Sequence, residues 1–485
     1  MPAATTAAAW LPLALDPPAR ALLTRRVDTA LRRARAEQRR VIASVTVPVP
    51  ARIDVSACVL SSRAASDRFY CLEQPERDGF ALATLGEAAR VESRGPGRFA
   101  DTLARCRAVG AGAVSGAVGG DDARRPPATG PVWVGGFAFA PEGGATPDWA
   151  SLAPAQLVMP EIAFSRQAGE ARMTVTAAVD PQDHARAVLE RLERRVESLR
   201  TDPMPLVDPD PIAAARVAGA MAPAHYEGAV ARAVERIAAG ELRKVVLARE
   251  VCVHLPRASD AAAVLDGLRA VFPSCYCYLV GTPELAFVGA SPELLVRRDG
   301  ARAQSVALAG TTRRSADPAV DAHLGERLLH SAKDREEQAI VARRIERTLQ
   351  PISVWVAAAD EPALVKVHNV QHLATPIRAQ LAEPLSALDL VGMLHPTPAV
   401  GGEPWERARS LIPELEGLDR GWYAGPLGWT DLSEDGEFCV ALRCALLRDR
   451  VARLYAGDGI VRDSVPEQEL AETEVKLQAL LPLLT

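Results

Sequence analysis

Lys244 is one of only four lysines among 485 residues, since nearly all of the 56 Lys and Arg residues are arginine. A guanidinium keeps its charge, whereas an ammonium in an apolar site can lose its proton and act as a base. The pattern around Lys244 is typical of a strand, with Val246 and Ala248 on the same side. The lysine is therefore either a partly desolvated base or an edge cation whose stem snorkels to water.

Glu293 is a second candidate for acid–base chemistry. Residues 289–295 predict a strand, a turn fixed by Pro292 and a further strand, with Glu293 just after the turn and Leu294 and Leu295 next to it. Desolvation in such surroundings favours the protonated carboxyl, which is the form that a general acid needs. The alternative is a turn carboxylate that faces solvent.

Two predicted helices each carry acidic residues on one face. Asp334 and Glu337 are three positions apart, and Glu469, Glu472 and Lys476 follow at i, i+3 and i+7 near the C-terminus. Paired carboxylates on two helices suit a hard cation such as Mg²⁺, which prefers oxygen ligands. Each face taken alone is more often an ordinary solvated, charged helix surface.

Arg443 lies in residues 437–446, which we predict to form one continuous strand. Its side of that strand carries the small residues Cys439, Ala441 and Ala445, which leave room around the guanidinium. Such a hollow suits a ligand carboxylate bound bidentately, or else an internal ion pair. Glycine-rich turns at 309–311, 423–425 and 456–459 permit close backbone approach but form neither a GxGxxG fingerprint nor a P-loop.

The elements that must position these residues follow a simple order. We predict helices over 18–42 and 184–200, strands over 41–49, 69–72 and 132–139, and a surface loop over 109–130. The proline-rich residues 202–211 form a linker, because proline is excluded from helix interiors and central strands. This predicts an N-terminal part over 1–205 and a catalytic region over 215–485 within what is expected to be one continuous globular unit.

Composition excludes several classes of protein. With 48% hydrophobic and 24% charged residues the chain can bury a large core, and a net charge of -5 argues against a nucleic-acid surface. The eight scattered cysteines indicate neither a zinc site nor a disulfide framework. Apolar stretches fall short of the roughly 18 residues of a membrane span. We expect a soluble cytoplasmic protein without a membrane or nucleic-acid partner, a monomer or weak homo-oligomer.

Ten segments, taken in order, resemble the chorismate-utilising enzymes and more narrowly the isochorismate synthases. They cover 220–485 densely, while the N-terminal half matches only loosely through 69–75 and 133–136. The segments are 244–249, 290–295, 308–311, 333–337, 372–375, 394–402, 421–425, 441–444, 455–457 and 472–476.

The resemblance implies an α+β fold in which two antiparallel sheets pack face to face with helices outside. It also implies chorismate as substrate and a required Mg²⁺. Lys244 resembles the base that activates water for attack at ring carbon C2, and Glu293 the acid that protonates the departing C4 hydroxyl. Such a pair must have environments that bring both pKa values toward the working pH, with a neutral amine and a protonated carboxyl.

The remaining site residues carry over from the same resemblance. Glu337 and Glu472 look like metal ligands, with Asp334 and Glu469 near them, and His372 is expected near the ring. The groups that resemble those holding the two substrate carboxylates are Gly310, Thr311, Tyr423, Arg443, Lys476 and the backbone around Ala399, Val400 and Gly457.

Two departures and two alternatives accompany this interpretation. Arg313 stands where the family has proline, and Asp458 replaces a small residue and adds an anion near the expected carboxylate site, which bears on affinity more than on reaction type.

Chorismate-aminating relatives lack a lysine at the position of Lys244, whereas salicylate synthases keep it and go on to eliminate pyruvate. A non-catalytic chorismate-binding subunit is the other alternative, which Lys244 and Glu293 disfavour. The sequence does not distinguish menaquinone from siderophore synthesis.

Overall fold

The computed structural model describes residues 13–118, 125–208 and 214–484. In these residues the chain forms 11 α-helices and 22 strands, besides three short 3₁₀ turns. The N-terminal half contains α1 (Pro17–Glu37), β1 (Val41–Pro48), α2 (Val55–Ser62), β2 (Phe69–Gln74), β3 (Phe80–Leu85), β4 (Ala89–Ser93), α3 (Arg98–Gly110), β5 (Val132–Phe137), β6 (Ala155–Met159), β7 (Ile162–Gln167), β8 (Glu170–Val179) and α4 (Ala185–Glu197).

The C-terminal half is longer and carries the predicted site. Its elements are β9 (Arg216–Gly219), α5 (Pro223–Ala238), β10 (Lys244–His254), α6 (Ala261–Val271), β11 (Tyr276–Gly281), β12 (Ala286–Ser291), β13 (Leu294–Asp299), β14 (Arg302–Arg313), α7 (Pro318–His330), α8 (Ala332–Leu349), β15 (Ser353–Ala358), β16 (Ala363–Lys366), β17 (Val370–Leu381), α9 (Ala387–Leu394), β18 (Gly402–Glu403), α10 (Trp405–Glu416), β19 (Pro426–Asp431), β20 (Gly436–Val440), β21 (Cys444–Arg448), β22 (Val451–Ile460) and α11 (Pro466–Leu477).

The strands form two antiparallel sheets, each built from both halves of the chain. The larger has 12 strands in the order β1-β8-β7-β3-β2-β11-β12-β21-β22-β10-β18, with β9 paired to β10. The smaller has 10 strands in the order β15-β17-β14-β13-β20-β19-β5-β6-β4, with β16 paired to β17. Neither half of the chain therefore has a sheet of its own.

The main core lies where the two sheets face each other. One cluster of buried side chains includes Phe80 and Tyr278 from the large sheet and Phe438 from the small one. The hydroxyl of Tyr276 on β11 also donates a hydrogen bond of 2.7 Å to Glu437 on β20. The predicted packing of two antiparallel sheets is confirmed.

Helices cover the outer face of the large sheet. The second core cluster joins apolar residues of α1, α2, α4 and α6, such as Leu23 and Leu265, to strand residues such as Val45 and Leu279. The periodic apolar face of each helix is what this burial requires. No helix of the described residues is long and apolar enough to span a bilayer.

Several predicted boundaries differ from the structure. The helix predicted over 18–42 ends at Glu37, and the strand β1 begins at Val41, as its β-branched pattern predicted. The C-terminal helix, which the sequence predicts over 466–481, ends at Leu477. The prediction of one strand over 437–446 was wrong. The chain leaves the small sheet after β20, passes through 441–443 outside both strands, and enters the large sheet as β21.

Candidate active site

A single cavity gathers almost all of the predicted site residues. It encloses about 800 Å³, including the part that opens to solvent. Its walls come from the turn after β12, the end of β14, the first turns of α8, strand β22 and helix α11. The predicted residues that line it are Glu293, Gly310, Thr311, Asp334, Glu337, His372, Ala399, Val400, Tyr423, Arg443, Gly457, Glu469, Glu472 and Lys476.

Lys244 lies behind the cavity wall rather than on it. As the first residue of β10 it is fully buried, and its Nζ lies 2.9 Å from Glu337 Oε1, without the angles of a hydrogen bond. Gly459 on the neighbouring strand leaves the space for this pair, because a Cβ there would lie 2.2 Å from Glu337 Oε1 and 2.7 Å from Lys244 Cε. Lys244 is therefore buried rather than an edge cation, and Glu337 lies between its Nζ and the cavity.

Glu293 has the surroundings of a carboxylic acid that keeps its proton. It is 3% exposed, and its backbone is held by Ser291 Oγ, which accepts from its N–H at 3.2 Å, and by the N–H of Val440, which donates to its carbonyl at 3.0 Å. Burial raises the pKa of Glu293 to about 8, although the nearby charges of Lys244 and Arg443 oppose the rise. The turn does not expose this side chain to solvent, so it can serve as a proton donor near neutral pH.

Arg443 enters the cavity because the chain breaks between the two sheets. Its φ of 47° is in the left-handed region, which turns the backbone from β20 into β21. Its Nη2 lies 3.2 Å from His372 Nε2, and His372 Nδ1 lies 3.1 Å from Thr311 Oγ1 and 3.3 Å from the carbonyl of Gly310. Burial, followed by the charges of Arg443 and Lys476, lowers the pKa of His372 to about 3. A neutral imidazole can then accept a hydrogen bond from the guanidinium through Nε2 and donate one from Nδ1.

Three acidic residues form a cluster at the other end of the cavity. One carboxylate oxygen of each of Asp458, Glu469 and Glu472 lies within 4.8 Å of the others. Lys333 donates to Glu469 at 2.7 Å, while Lys476 contacts Asp458 and lies 2.9 Å from Glu472. Burial is the largest influence on the pKa of Glu472 and raises it, but Lys476, a hydrogen bond with Asp458 and the charge of Lys333 together lower the pKa. Burial raises the pKa values of Asp458 and Glu469, so the cluster combines carboxyl oxygens with fewer cations than carboxyl groups.

This donor set fits a hard divalent cation. Oxygen ligands from α11 and β22 face α8, where Asp334 and Glu337 also line the cavity. Asp334 accepts a short hydrogen bond from the hydroxyl of Ser331, which caps α8. Magnesium sites in proteins are built from one or two carboxylates together with water and substrate oxygens, so the residues present suffice.

Some predicted substrate contacts are already used within the protein. The carbonyl of Val400 accepts from Arg420 at 2.8 Å, and its N–H donates to the carbonyl of Thr397 at 3.2 Å. The carbonyl of Gly457 accepts from Lys476 at 3.1 Å. These positions shape the wall, while free donors come from side chains such as Arg443.

The two departures from the family pattern have different locations. Arg313 is exposed at the end of β14 and does not line the cavity. Asp458 is buried and belongs to the carboxylate cluster, whereas the sequence indicated only an added anion near the expected carboxylate site. The sequence feature that could have indicated this cluster is an acidic residue between Gly457 and Gly459, on a strand that faces a helix with acidic residues.

Comparison with known proteins decides the family. The family model described as chorismate binding enzyme matches residues 29–485. The chain belongs to this family. Among solved structures, the menaquinone-specific isochorismate synthase MenF of Escherichia coli superimposes with a TM-score of 0.76 and 27% identity, covering 96% of this chain and 100% of that one. The predicted family is therefore confirmed.

Two relatives named as isochorismate synthases are similar to this chain in sequence. Isochorismate synthase MenF of Bacillus subtilis is 36% identical over 357 residues, which are 74% of this chain and 75% of the relative. The salicylate biosynthesis isochorismate synthase of Pseudomonas aeruginosa is 38% identical over 415 residues, which are 84% and 83% of the two chains. Both similarities extend far beyond the ten segments of the catalytic half.

Proposed function

We propose that the protein is an isochorismate synthase, which converts chorismate to isochorismate. The observation that carries this proposal is the gathering of the buried carboxyl of Glu293, the buried Lys244–Glu337 pair and the guanidinium of Arg443 around one cavity in a member of the chorismate-binding family. Isochorismate synthases among its relatives support the same reaction.

The reaction replaces the C4 hydroxyl of the ring with a hydroxyl at C2. Water loses a proton as its oxygen bonds to C2, the ring double bonds shift, and the C4–O bond breaks with a proton added to the departing oxygen. Water is therefore both consumed and released. In the proposal Lys244, as a neutral amine, accepts the first proton by way of Glu337, which lies between it and the cavity, and Glu293 donates the second. Each such group typically contributes about 10²–10⁴-fold to the rate.

The proposed role of the charged residues follows from the charge of the substrate. Chorismate is a dianion, so Arg443 and Lys476 hold its carboxylates in an enclosed site where charge-assisted hydrogen bonds are strong. We propose that Mg²⁺ is held by Glu337 and Glu472, with Asp334 and Glu469 near them. When bound, it supplies a positive charge that holds and orients a substrate carboxylate.

Product analysis tests the proposal against its alternatives. Purified protein incubated with chorismate and Mg²⁺ should yield isochorismate with little pyruvate, measured by liquid chromatography. Salicylate with stoichiometric pyruvate would instead assign a salicylate synthase. An absence of turnover, with chorismate still bound, would support a non-catalytic subunit and refute the proposal.

We also propose that the enzyme works in the cytoplasm. All eight cysteines are free thiols, and seven of them are buried, which suits a reducing compartment.

A further inference from the structure

Asp458 occupies a position that the proposed reaction does not use. It lies on β22 opposite Leu247 of β10, and its side chain is only 2% exposed. Oδ1 contacts the ammonium of Lys476. Within the described part of the chain, Oδ2 has no hydrogen-bond partner, although it is buried. A buried carboxylate oxygen without a donor costs free energy unless another group satisfies it.

The surroundings of Oδ2 indicate what kind of group that is. The Asp458 carboxylate lies with Glu469 and Glu472 in a cluster whose oxygens are within 4.8 Å of one another. Two carboxyl groups can hydrogen bond to each other only when one of them is protonated; otherwise a cation must lie between their oxygens. Lys476 is shared by Asp458 and Glu472, and Lys333 serves Glu469, so two ammonium groups face three carboxylates.

We propose that Asp458 is an additional ligand of the divalent cation held between α8 and α11, and that it lets this cation bind before the substrate. The inference deepens the proposed function, since it rests on a cation at that site. The two oxygens of Asp458 have separate tasks: Oδ1 holds Lys476, and Oδ2 faces the cation from the strand side of the cavity. A third protein carboxylate reduces the need for a substrate oxygen to complete the site.

Direct cation binding without chorismate tests the inference. The full-length protein, stripped of metal, is titrated with Mn²⁺, and free Mn²⁺ is measured by electron paramagnetic resonance. Asp458→Asn keeps the size of the side chain while removing its charge, and Asp458→Ala removes both oxygens. We expect Mn²⁺ affinity to fall about 10-fold or more in both variants, within the range of roughly 10–100-fold found for groups supporting a metal site.

A matched control separates ligation from general charge. Glu467 is an exposed carboxylate in the first turn of α11, outside the cavity lining. Glu467→Gln removes the same unit of charge from the same region and should leave Mn²⁺ affinity unchanged. Thermal unfolding of each metal-free protein shows whether the variants fold, and added Mn²⁺ should raise the melting temperature less in Asp458→Asn than in the unmodified protein.

Three outcomes would overturn the inference. Unchanged Mn²⁺ affinity in Asp458→Asn would show that a proton, rather than a cation, lies between Asp458 and Glu472. Tighter binding in that variant would show that Asp458 serves only Lys476. Failure of the unmodified protein to bind Mn²⁺ without chorismate would refute the substrate-independent site. None of these results depends on turnover. Isochorismate formation is measured separately, so a failure of the proposed function can be distinguished from a failure of this inference.

Discussion

Replacing Glu293 with glutamine tests the acid half of the proposed reaction. The change keeps the shape of a side chain that is 3% exposed but removes the proton that the departing hydroxyl needs. Because the amide cannot donate that proton, we expect kcat to fall by about 10²–10⁴-fold. Chorismate binding should persist, since Arg443 and Lys476 are unchanged.

The raised pKa of Glu293 determines how the rate of the unmodified enzyme should depend on pH. Burial raises the pKa of Glu293 from 4.5 to about 8 against the opposing charges of Lys244 and Arg443, which corresponds to roughly 5 kcal/mol of free energy in favour of the protonated form. The protonated acid is present below about pH 8 and is lost as the pH rises through that value. The rate of the unmodified enzyme should therefore fall roughly tenfold for each pH unit well above 8.

Steady-state rates of isochorismate formation between pH 6 and pH 10 provide the assay. The unmodified enzyme should lose activity above about pH 8, whereas the residual activity of Glu293→Gln should not decrease above that pH. Glu284 is an exposed carboxylate in the turn between β11 and β12, and Glu284→Gln is the matched control, which should keep the full profile. The assignment of Glu293 as the acid is wrong if Glu293→Gln retains more than about a tenth of the unmodified enzyme's rate. It is also wrong if the activity of that variant still decreases above about pH 8.

Further predictions concern the lysine pair and the cation. Lys244→Ala should lose turnover by about 10²–10⁴-fold while chorismate still binds in calorimetry; unchanged turnover would remove its role as base. Gly459→Ala places a methyl group 2.2 Å from Glu337 Oε1 and should lower kcat by roughly 10²-fold. The variant should still fold, because the displaced atoms belong to flexible side chains. An unaltered kcat would contradict the importance of the Lys244–Glu337 pair. Glu472→Gln should abolish Mg²⁺-dependent activity in a metal titration, and full activity of the unmodified protein in chelator would contradict a cation requirement.

Local patterns in the sequence identified the candidate residues of the site. The strand pattern around Lys244 left open a desolvated lysine or an edge cation, and the turn before Leu294 and Leu295 left open a desolvated or a solvent-facing Glu293; the structure buries both side chains. The spacing on α8 and α11 predicted which carboxylates share a helix face. These inferences succeed because burial within one element depends on its periodicity and on a few neighbouring residues.

Contacts between distant segments were decided by the tertiary structure alone. An alternating pattern over 437–446 predicted one strand, but pairing with two different sheets breaks it at 441–443 and directs Arg443 into the cavity. The ion pair of Lys244 with Glu337 joins residues on β10 and α8, and no spacing rule relates them.

The chain by itself therefore determined which residue types were available for proton transfer and cation binding, and which faces of their elements they occupy. The tertiary structure decided that Glu337 lies between Lys244 and the cavity, and that Asp458 joins Glu469 and Glu472. The physical reason is that periodicity reports the face of a helix or strand that is buried, whereas the partner of that face depends on how sheets and helices pack over long sequence separations.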